Sequence, residues 1–567
     1  MLFWGALEMT AHGNVSIVNL FFNCNYYFYR LIEWLCEARA SFRSATSMDA
    51  IRKSRHASVR KYCAYNRETF SNSSRRTDRI ILLDCFPVPQ WVIANSFLLN
   101  KLSARLDASI VSYGITGRDA YADCLYRSFG CHKHLLVRST WAISRERKRL
   151  FREILASVKT KNDLLNLEID GVRIGLDVYE SILRIGLPTI EVGTFKFKRH
   201  IFLALKYYLY FSELFASGVV KSVALSHDSY LGMGLIAKVA YRSGVPVYFA
   251  NPFEIIKTVR PSQIYERLMH YPDYYSSLED WEKERAVSWA RGQLEKRVRG
   301  AVGVNMSYQE KSAFTAERIE RQTVQSDAIK VVVATHCFFD NPHGLGWMLF
   351  SDFYEWLCFL GEISKVTNYE WYLKPHPDYL PGTLETLSRI TDLYPKLRLI
   401  DPATTFHQLR EEGVSIALTC YGSIGHELPL LGYRVINAAY NPHIAYRFNW
   451  HPKTVEEYRD ILLNLQSLGD VQDAEKIFEF FYVNNAVVRS DDFLFESYEQ
   501  FLADAGGDPC SVSAYEAFLS QKDIIRRKVD EKMDLFLMSG GTYFFELEIH
   551  GLTEGGEARR VKPICAD

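Results

Sequence analysis

The sequence predicts an α/β protein with two doubly wound domains. Two observations carry that expectation. From 328 to about 480, strand-like apolar runs alternate strictly with helix-spaced runs, the pattern of a parallel sheet covered by helices. A shorter set of strand–helix–strand units lies between 78 and 255, and 567 residues exceed what one ordinary core holds.

Taken in order, residues 1–75 form a lead-in. Its "SFRSATSMDAIRKSRHASVRKY" is basic and Ser-rich, a solvated face by default, with a loop, a surface helix or an anionic-lipid patch left open. "DRIILLDCF" then reads as a strand ending at Asp84, "VPQWVIANSFLLNKLSARL" as a helix and "ASIVSYG" as a strand. Charged helices follow at roughly 140–170, and 170–191 reads as a Gly-rich turn holding Asp177, then a short helix. "KSVALSHDSYLGMGLIAKVAYRSGVPVYFAN" (221–251) runs strand, polar turn, helix, stop at Gly244, strand. Its turn places His227 and Asp228 at a strand's C-terminal end, and Gly232 and Gly234 are expected to open the helix. Residues 262–325 read as a charged helical bridge. Five strands then alternate with helices: "AIKVVVATHCF", "YEWYLKPHP", "LRLID", "VSIALTCYG" and "YRVINAA". After about 485 the pattern weakens, and the tail from "GGTYFFELEIHG" onward is expected to add a hairpin or be partly disordered. The expected divisions are therefore 1–75, 76–260, 261–327, 328–485 and 486–567.

Composition narrows the function classes. Hydrophobic residues are 48% and charged residues 24%, the balance of a soluble globular protein. Lys and Arg number 67, as do Asp and Glu, so nucleic-acid binding by bulk charge is not expected. Eleven dispersed cysteines with no CxxC pair suggest reduced thiols in a cytosolic protein, not a zinc site or a disulfide framework. The stretch 16–38 is interrupted by Asn19, Asn23, Asn25, Arg30 and Glu33, which argues against a membrane span, and no signal-peptide pattern is evident. The aromatic tract 201–220 carries Lys206 and Glu213 and reads as a buried or interfacial helix, with a shallow membrane contact open.

The strand ends of the second half carry the chemistry. They deliver Thr335 and His336, Lys374 and His376, Asp401, and Cys420–Tyr421–Gly422–Ser423 to one expected edge, the edge where open α/β sheets bind ligands. Ser423 opens a helix whose hydroxyl and N–H groups suit a phosphate. Glu427 lies one turn on and suits two ribose hydroxyls. His376 can donate to a phosphate oxygen or protonate a leaving phosphate. Against this, Ser423 could be an ordinary N-cap, Glu427 a satisfied helix carboxylate, and Lys374 could point outward. His336, His343 and His376 lack HxH or HxxxH spacing, so no metal is expected.

"YLKPHP", followed about 45 residues later by "YGSIGHELPLLGYRVINA", resembles the bacterial capsule-polysaccharide glycosyltransferases, among them the transferases of 3-deoxy-D-manno-octulosonic acid (Kdo) that use CMP-Kdo. "ATHCFFDNPHG" and "NPHIAYRF" (441–448) look like the same group, and the likeness covers about 328–460 firmly and 221–251 more loosely. The His-Pro pair also resembles that of CMP-sialic acid transferases and CDP-glycerol polymer synthases. The polymer synthases, however, carry an Asp-Tyr-Ser-Ser run where this chain has "CYGSIG". The resemblance implies the two-domain GT-B fold and a nucleotide site at His376, Pro377, Ser423 and Glu427, with cytidine preferred; the strand-end reading adds Thr335, His336, Lys374 and Gly422 to the expected donor-binding residues. It implies that 328–485 binds the nucleotide sugar and 76–260 the acceptor. The implied activity is sugar transfer from a nucleotide-activated donor, a CMP-linked sugar acid such as CMP-Kdo, to a bacterial surface polysaccharide or glycolipid, with no cofactor besides the donor. His376 would serve the phosphate. The base would come from across the cleft, Asp228 beside His227 being favoured over Asp84 and Asp177. A cytoplasmic enzyme, with peripheral inner-membrane association open, fits that role. Two other readings stand: a non-catalytic nucleotide- or carbohydrate-binding subunit, and a GT-B-like sugar-nucleotide epimerase.

Overall fold

The computed structural model describes residues 26–70, 77–138, 141–305, 311–470, 473, 475–488, 494–495 and 498–546. Two parallel sheets, one in each half, face each other across a cleft, the GT-B-like arrangement expected from the alternating pattern.

The first sheet has the order β3-β2-β1-β6-β7-β8. Its strands are β1 (Ile80–Leu83), β2 (Ser109–Gly114), β3 (Lys133–Leu136), β6 (Val220–Leu225), β7 (Val247–Ala250) and β8 (Ile255–Thr258). All neighbours pair in parallel except β8, which runs antiparallel to β7. The central strands β1, β6 and β7 are buried almost throughout, as parallel strands covered on both faces must be. A two-stranded hairpin, β4 (Glu168–Ile169) with β5 (Val172–Arg173), lies outside the sheet.

Around this half lie α1 (Tyr26–Ala45), α2 (Ala57–Thr69), α3 (Pro89–Leu106), α4 (Trp141–Ser157), α5 (Gly175–Leu183), α6 (Phe195–Ala216) and α7 (Leu235–Arg242). The lead-in is thus helical where it is described. Proline at the first position of α3 and left-handed Asp107 at its end (φ 46°) mark that helix's limits. The aromatic tract 201–220 is interior. Phe202, Leu205, Phe211 and Phe215 of α6 are buried, and Lys206 is folded onto Glu37 of α1. A membrane contact through that tract is therefore not what the fold provides. Asp177 also differs from expectation: it sits in the first turn of α5, fully buried, not in the Gly-rich turn. Gly232 and Gly234 lie within a π-helical turn, Tyr230–Gly234, that precedes α7.

The segment 262–325 is helical only in its first part, ending with α8 (Asp280–Val298); residues 311–325 form neither helix nor strand. The second sheet is wholly parallel, β11-β10-β9-β12-β13, from β9 (Lys330–Ala334), β10 (Glu370–Lys374), β11 (Leu397–Leu399), β12 (Val414–Thr419) and β13 (Arg434–Asn437). Two of its helices matter for the site: α9 (Phe353–Val366) and the single turn α10 (Ile424–Glu427). Beyond the sheet, α11 (Glu475–Tyr482) packs on α8, with Trp289 and Phe481 ring centroids 5.9 Å apart. The chain then returns to the first half. In α12 (Ala514–Ser539), Tyr515 stacks on Tyr62 of α2 at 4.5 Å, and Phe518 packs on Phe97 of α3. The expectation of a hairpin or partial disorder in the tail falls largely on 547–567, outside the described residues; before it, Tyr543 makes one antiparallel bridge to Ile256 of β8.

Candidate functional site

The register of the second sheet decides which side chains meet. Lys374 pairs with Ala334, Leu418 with Val333 and Thr419 with Asn437, so β9, β10 and β12 all leave the sheet at one edge. Thr335 is buried there, and both its N–H (3.0 Å) and its hydroxyl (3.3 Å) donate to the Lys374 carbonyl. His336 is the organiser of the edge. Its Nε2 lies 3.0 Å from Thr419 Oγ1 and accepts the Cys420 N–H at 3.2 Å, while the Gly422 N–H donates to Thr419 Oγ1 at 3.3 Å. Phe353 stacks on the imidazole at 4.8 Å. Burial pushes the His336 pKa down to about 3, so the ring is neutral, with its proton on Nδ1.

His376 is exposed at the strand edge. Its Nδ1 accepts the Asp378 N–H at 3.1 Å, which places the proton of the neutral ring on Nε2. The surrounding protein and the Lys374 charge hold its pKa below the ordinary histidine value, although Asp378 and Glu427 act the other way. Pro377 follows, half-buried. Lys374 turns inward: it is buried, donates to the Pro402 carbonyl at 3.2 Å and lies over the Phe406 ring at 5.3 Å. Burial lowers its pKa to about 8 despite Asp401.

Ser423 does not cap α10. Its hydroxyl donates to Glu427 Oε2 at 3.2 Å, and α10 passes after one turn into a tighter turn, Leu428–Leu431. Glu427 is buried, and its Oε1 accepts from Arg297 Nε of α8 at 2.8 Å and also from Nη2. The carboxylate expected to hold ribose hydroxyls is thus engaged by a guanidinium reaching over from the bridging helix.

Across the cleft, β1 and β6 present Asp84, Ser226, His227 and Asp228. Asp84 is tied inward, its Oδ2 accepting from the Ser226 N–H (3.0 Å) and hydroxyl. His227 Nδ1 lies 2.9 Å from Ser226 Oγ, its ring stacks near Trp91, and burial lowers its pKa. Asp228 accepts from the Tyr265 hydroxyl, and burial holds its carboxyl pKa above the usual range. It lines a cavity of about 70 Å³ between the halves, together with Glu180, Lys238, Tyr265, Asn341 and His343.

Sequence reasoning missed Glu180 of α5 on the wall of that cavity and the pairing of Asp177 with its wall residue Lys238. Asp177 pairs with Lys238 at 2.7 Å, yet burial raises its pKa to about 7 and its Oδ1 has no hydrogen-bond partner. Glu180, one turn along α5, is 1% exposed, and its Oε1 faces His343 Nδ1 of the other half at 3.3 Å. Neither atom makes a hydrogen bond. The i, i+3 spacing of Asp177 and Glu180 in "GLDVYES" was the available signal, whereas His343 had been weighed only as a metal ligand. A second cavity of about 470 Å³ adjoins His343 and Gly346, with Lys161, Arg173, Trp347 and Ser351 on its walls. Within the second half, Tyr421, just before Gly422, donates to the Asn341 carbonyl at 2.9 Å and so links the strand edge to the wall of the smaller cavity. Among the described residues, no group of three or more His, Cys, Asp or Glu is placed to hold a metal ion.

No family model matches the chain, and no curated protein matches it. Solved structures do. The chain is similar to a β-Kdo 2,4 transferase, KpsC, of Thermosulfurimonas dismutans (13% identity, TM-score 0.28, over 46% of this chain and 79% of that one). It is similar to a UDP-GlcNAc 2-epimerase of Neisseria meningitidis bound to UDP-GlcNAc (9%, 0.18, over 72% and 99%). A glycosyltransferase of Rickettsia africae is a further neighbour (8%, 0.21, over 72% and 94%).

Proposed function

We propose that the chain is a glycosyltransferase that binds a nucleotide-activated sugar at the edge formed by His336, His376, Gly422 and Ser423. The observation that carries this reading is the confrontation of two unlike surfaces across one cleft. One is a strand edge from which the exposed His376 presents its Nε2–H. The other carries carboxyls whose pKa is raised by their surroundings, fully buried Asp177 and half-buried Asp228. Transfer from a nucleotide sugar needs both: donors for the departing phosphate and a base for the acceptor hydroxyl. In this reading His376 Nε2–H donates to a phosphate oxygen, and Asp228 takes the acceptor proton, because a carboxylate of raised pKa is the better proton acceptor at neutral pH. Tyr265 holds Asp228 in place. Thr335 and Lys374 shape the edge from beneath. The likeness of "YLKPHP" and "YGSIGHELPLLGYRVINA" to the Kdo transferases, and of the His-Pro pair to the CMP-sialic acid transferases, favours a CMP-linked sugar acid such as CMP-Kdo, with a surface polysaccharide or glycolipid as acceptor.

The acids also favour a second reading, a sugar-nucleotide epimerase, because Glu180, Asp228 and His343 line one cavity and Asp177 pairs with Lys238 of its wall, which gives several groups able to move protons. Thermal-shift titration with CMP, CDP, UMP, UDP and GDP, on wild type and His376→Ala, tests the site. Stabilisation by CMP that is lost in the variant is the expected result; a response to UDP or GDP alone overturns the donor. Conversion of a sugar nucleotide with no acceptor present would decide for the epimerase.

A further inference from the structure

We infer that α1 is a docking element for the surface of an anionic lipid bilayer, its outward apolar stripe resting among the lipid headgroups and its neighbouring cations on the phosphates. The orientation of the helix is the first observation. Leu31 (50%), Trp34 (64%), Leu35 (42%) and Phe42 (70%) are exposed, as is Ala38 between them. Their spacing places all five on one face of the helix. The helix turns its two carboxylates inward: Glu33 pairs with buried Arg147 of α4 at 2.7 Å, and Glu37 with buried Lys206 of α6. A surface helix ordinarily does the reverse. Near the stripe, Phe195 of α6 is 41% exposed and packs on Phe28 of α1 with ring centroids 6.2 Å apart.

Charge selects the occupant. The whole chain is balanced at 67 against 67, yet residues 26–70 hold nine Lys and Arg against four Asp and Glu, two of the four being the inward Glu33 and Glu37. Arg43 adjoins Phe42, and Arg52, Arg55 and Arg60 are exposed on the segments that follow. Aromatic and aliphatic side chains flanked by cations are what an interfacial helix needs. Residues 1–25 contain no Lys or Arg and a single acid, Glu8, so they complement the stripe but not the cations. No described helix is long and apolar enough to cross a membrane; this one would lie on it. The inference does not depend on the transferase reading.

The test is co-sedimentation of the full chain with vesicles of phosphatidylethanolamine and phosphatidylglycerol, against vesicles of phosphatidylcholine. Wild type is expected to bind the anionic vesicles. Leu31→Gln/Trp34→Gln/Phe42→Gln, all at exposed positions, is expected to bind roughly tenfold less with its circular dichroism unchanged. Arg43→Glu/Arg55→Glu and added salt are expected to weaken binding as well. Wild type left in the supernatant, or a triple variant that binds as wild type does, overturns the inference. So does a stripe whose substitution alters only self-association, or binding that emerges only once residues 1–25 are removed, since the face would then belong to a second copy or to that segment.

Discussion

Four histidines of the second half are kept neutral by burial. His336, His426 and His451 are pushed down to about 3, 4 and 4, and His443 falls well below the usual value. In the unfolded chain each titrates near 6.5. Between pH 6.5 and about 4 the unfolded state therefore binds protons that the native state refuses, and stability must rise with pH across that window. Urea unfolding at pH 4.5, 5.5, 6.5 and 7.5 is expected to show the rise, and a His451→Asn variant is expected to show a shallower one. Equal slopes in the two proteins would mean that the ring is protonated in the fold. The residue scale also shows where sequence stops. Ser423 and Glu427 were legible as an i, i+4 pair, and they do hydrogen-bond. Arg297, which takes the rest of Glu427, lies 130 positions away in another element. No spacing rule reaches that far, so the difference between a free carboxylate and a paired one was invisible.

Among the elements, strands buried on both faces were legible and edge strands were not. β9, β10 and β12 read as continuous apolar runs because helices cover them. β3, with exposed Lys133, and antiparallel β8 carry short mixed patterns that only their neighbours turn into strands. Asp177 was misplaced for a related reason: Gly171 and Gly175 punctuate a hairpin and a helix start, which look alike in one dimension. Glycines separate tight elements from loose ones. At Gly425 in α10 a Cβ would drive into the His443 ring, whereas at Gly292 in α8 it would meet nothing within 4 Å. Gly425→Ala is expected to cost on the order of 1–3 kcal/mol through overpacking, and to weaken nucleotide binding because the same turn carries Ser423. Gly292→Ala is expected to gain roughly 0.5–1 kcal/mol from helix propensity alone. Paired urea titrations, with the nucleotide titration repeated on each variant, check both signs. A Gly425→Ala protein with wild-type stability would mean that His443 moves aside at little cost.

For the whole molecule, the two halves are held by unlike contacts at the two ends of the cleft. On one side lies a shared apolar cluster, in which Ile256, Leu268, Ala290 and Leu294 pack with Tyr446, Phe448, Ile477 and Phe480. At the mouth the contacts are polar. Asp352 accepts from Tyr179 at 2.5 Å and Thr189 at 2.6 Å, Lys161 pairs with Glu355, and Tyr230 donates to Asp340 at 2.9 Å. The return of α12 to the first half follows no local signal and was not legible, although the division into two α/β halves was. An apolar seam tolerates small rotation while polar ties exchange readily with water, so the cleft should open at the mouth about the seam. Tyr179→Phe combined with Thr189→Val removes two ties to Asp352 and leaves its cap on α9, where Oδ1 accepts the Glu355 N–H at 2.8 Å. The buried Asp352 carboxylate then draws water into the mouth. Small-angle scattering is expected to give a larger radius of gyration for the double variant than for wild type, and a bound nucleotide is expected to narrow the gap by favouring the closed form. A double variant that scatters as wild type does, with and without nucleotide, would mean that the seam alone fixes the angle between the halves, and that substrate must enter through the adjoining cavity beside Lys161 and Trp347 without any opening of the cleft.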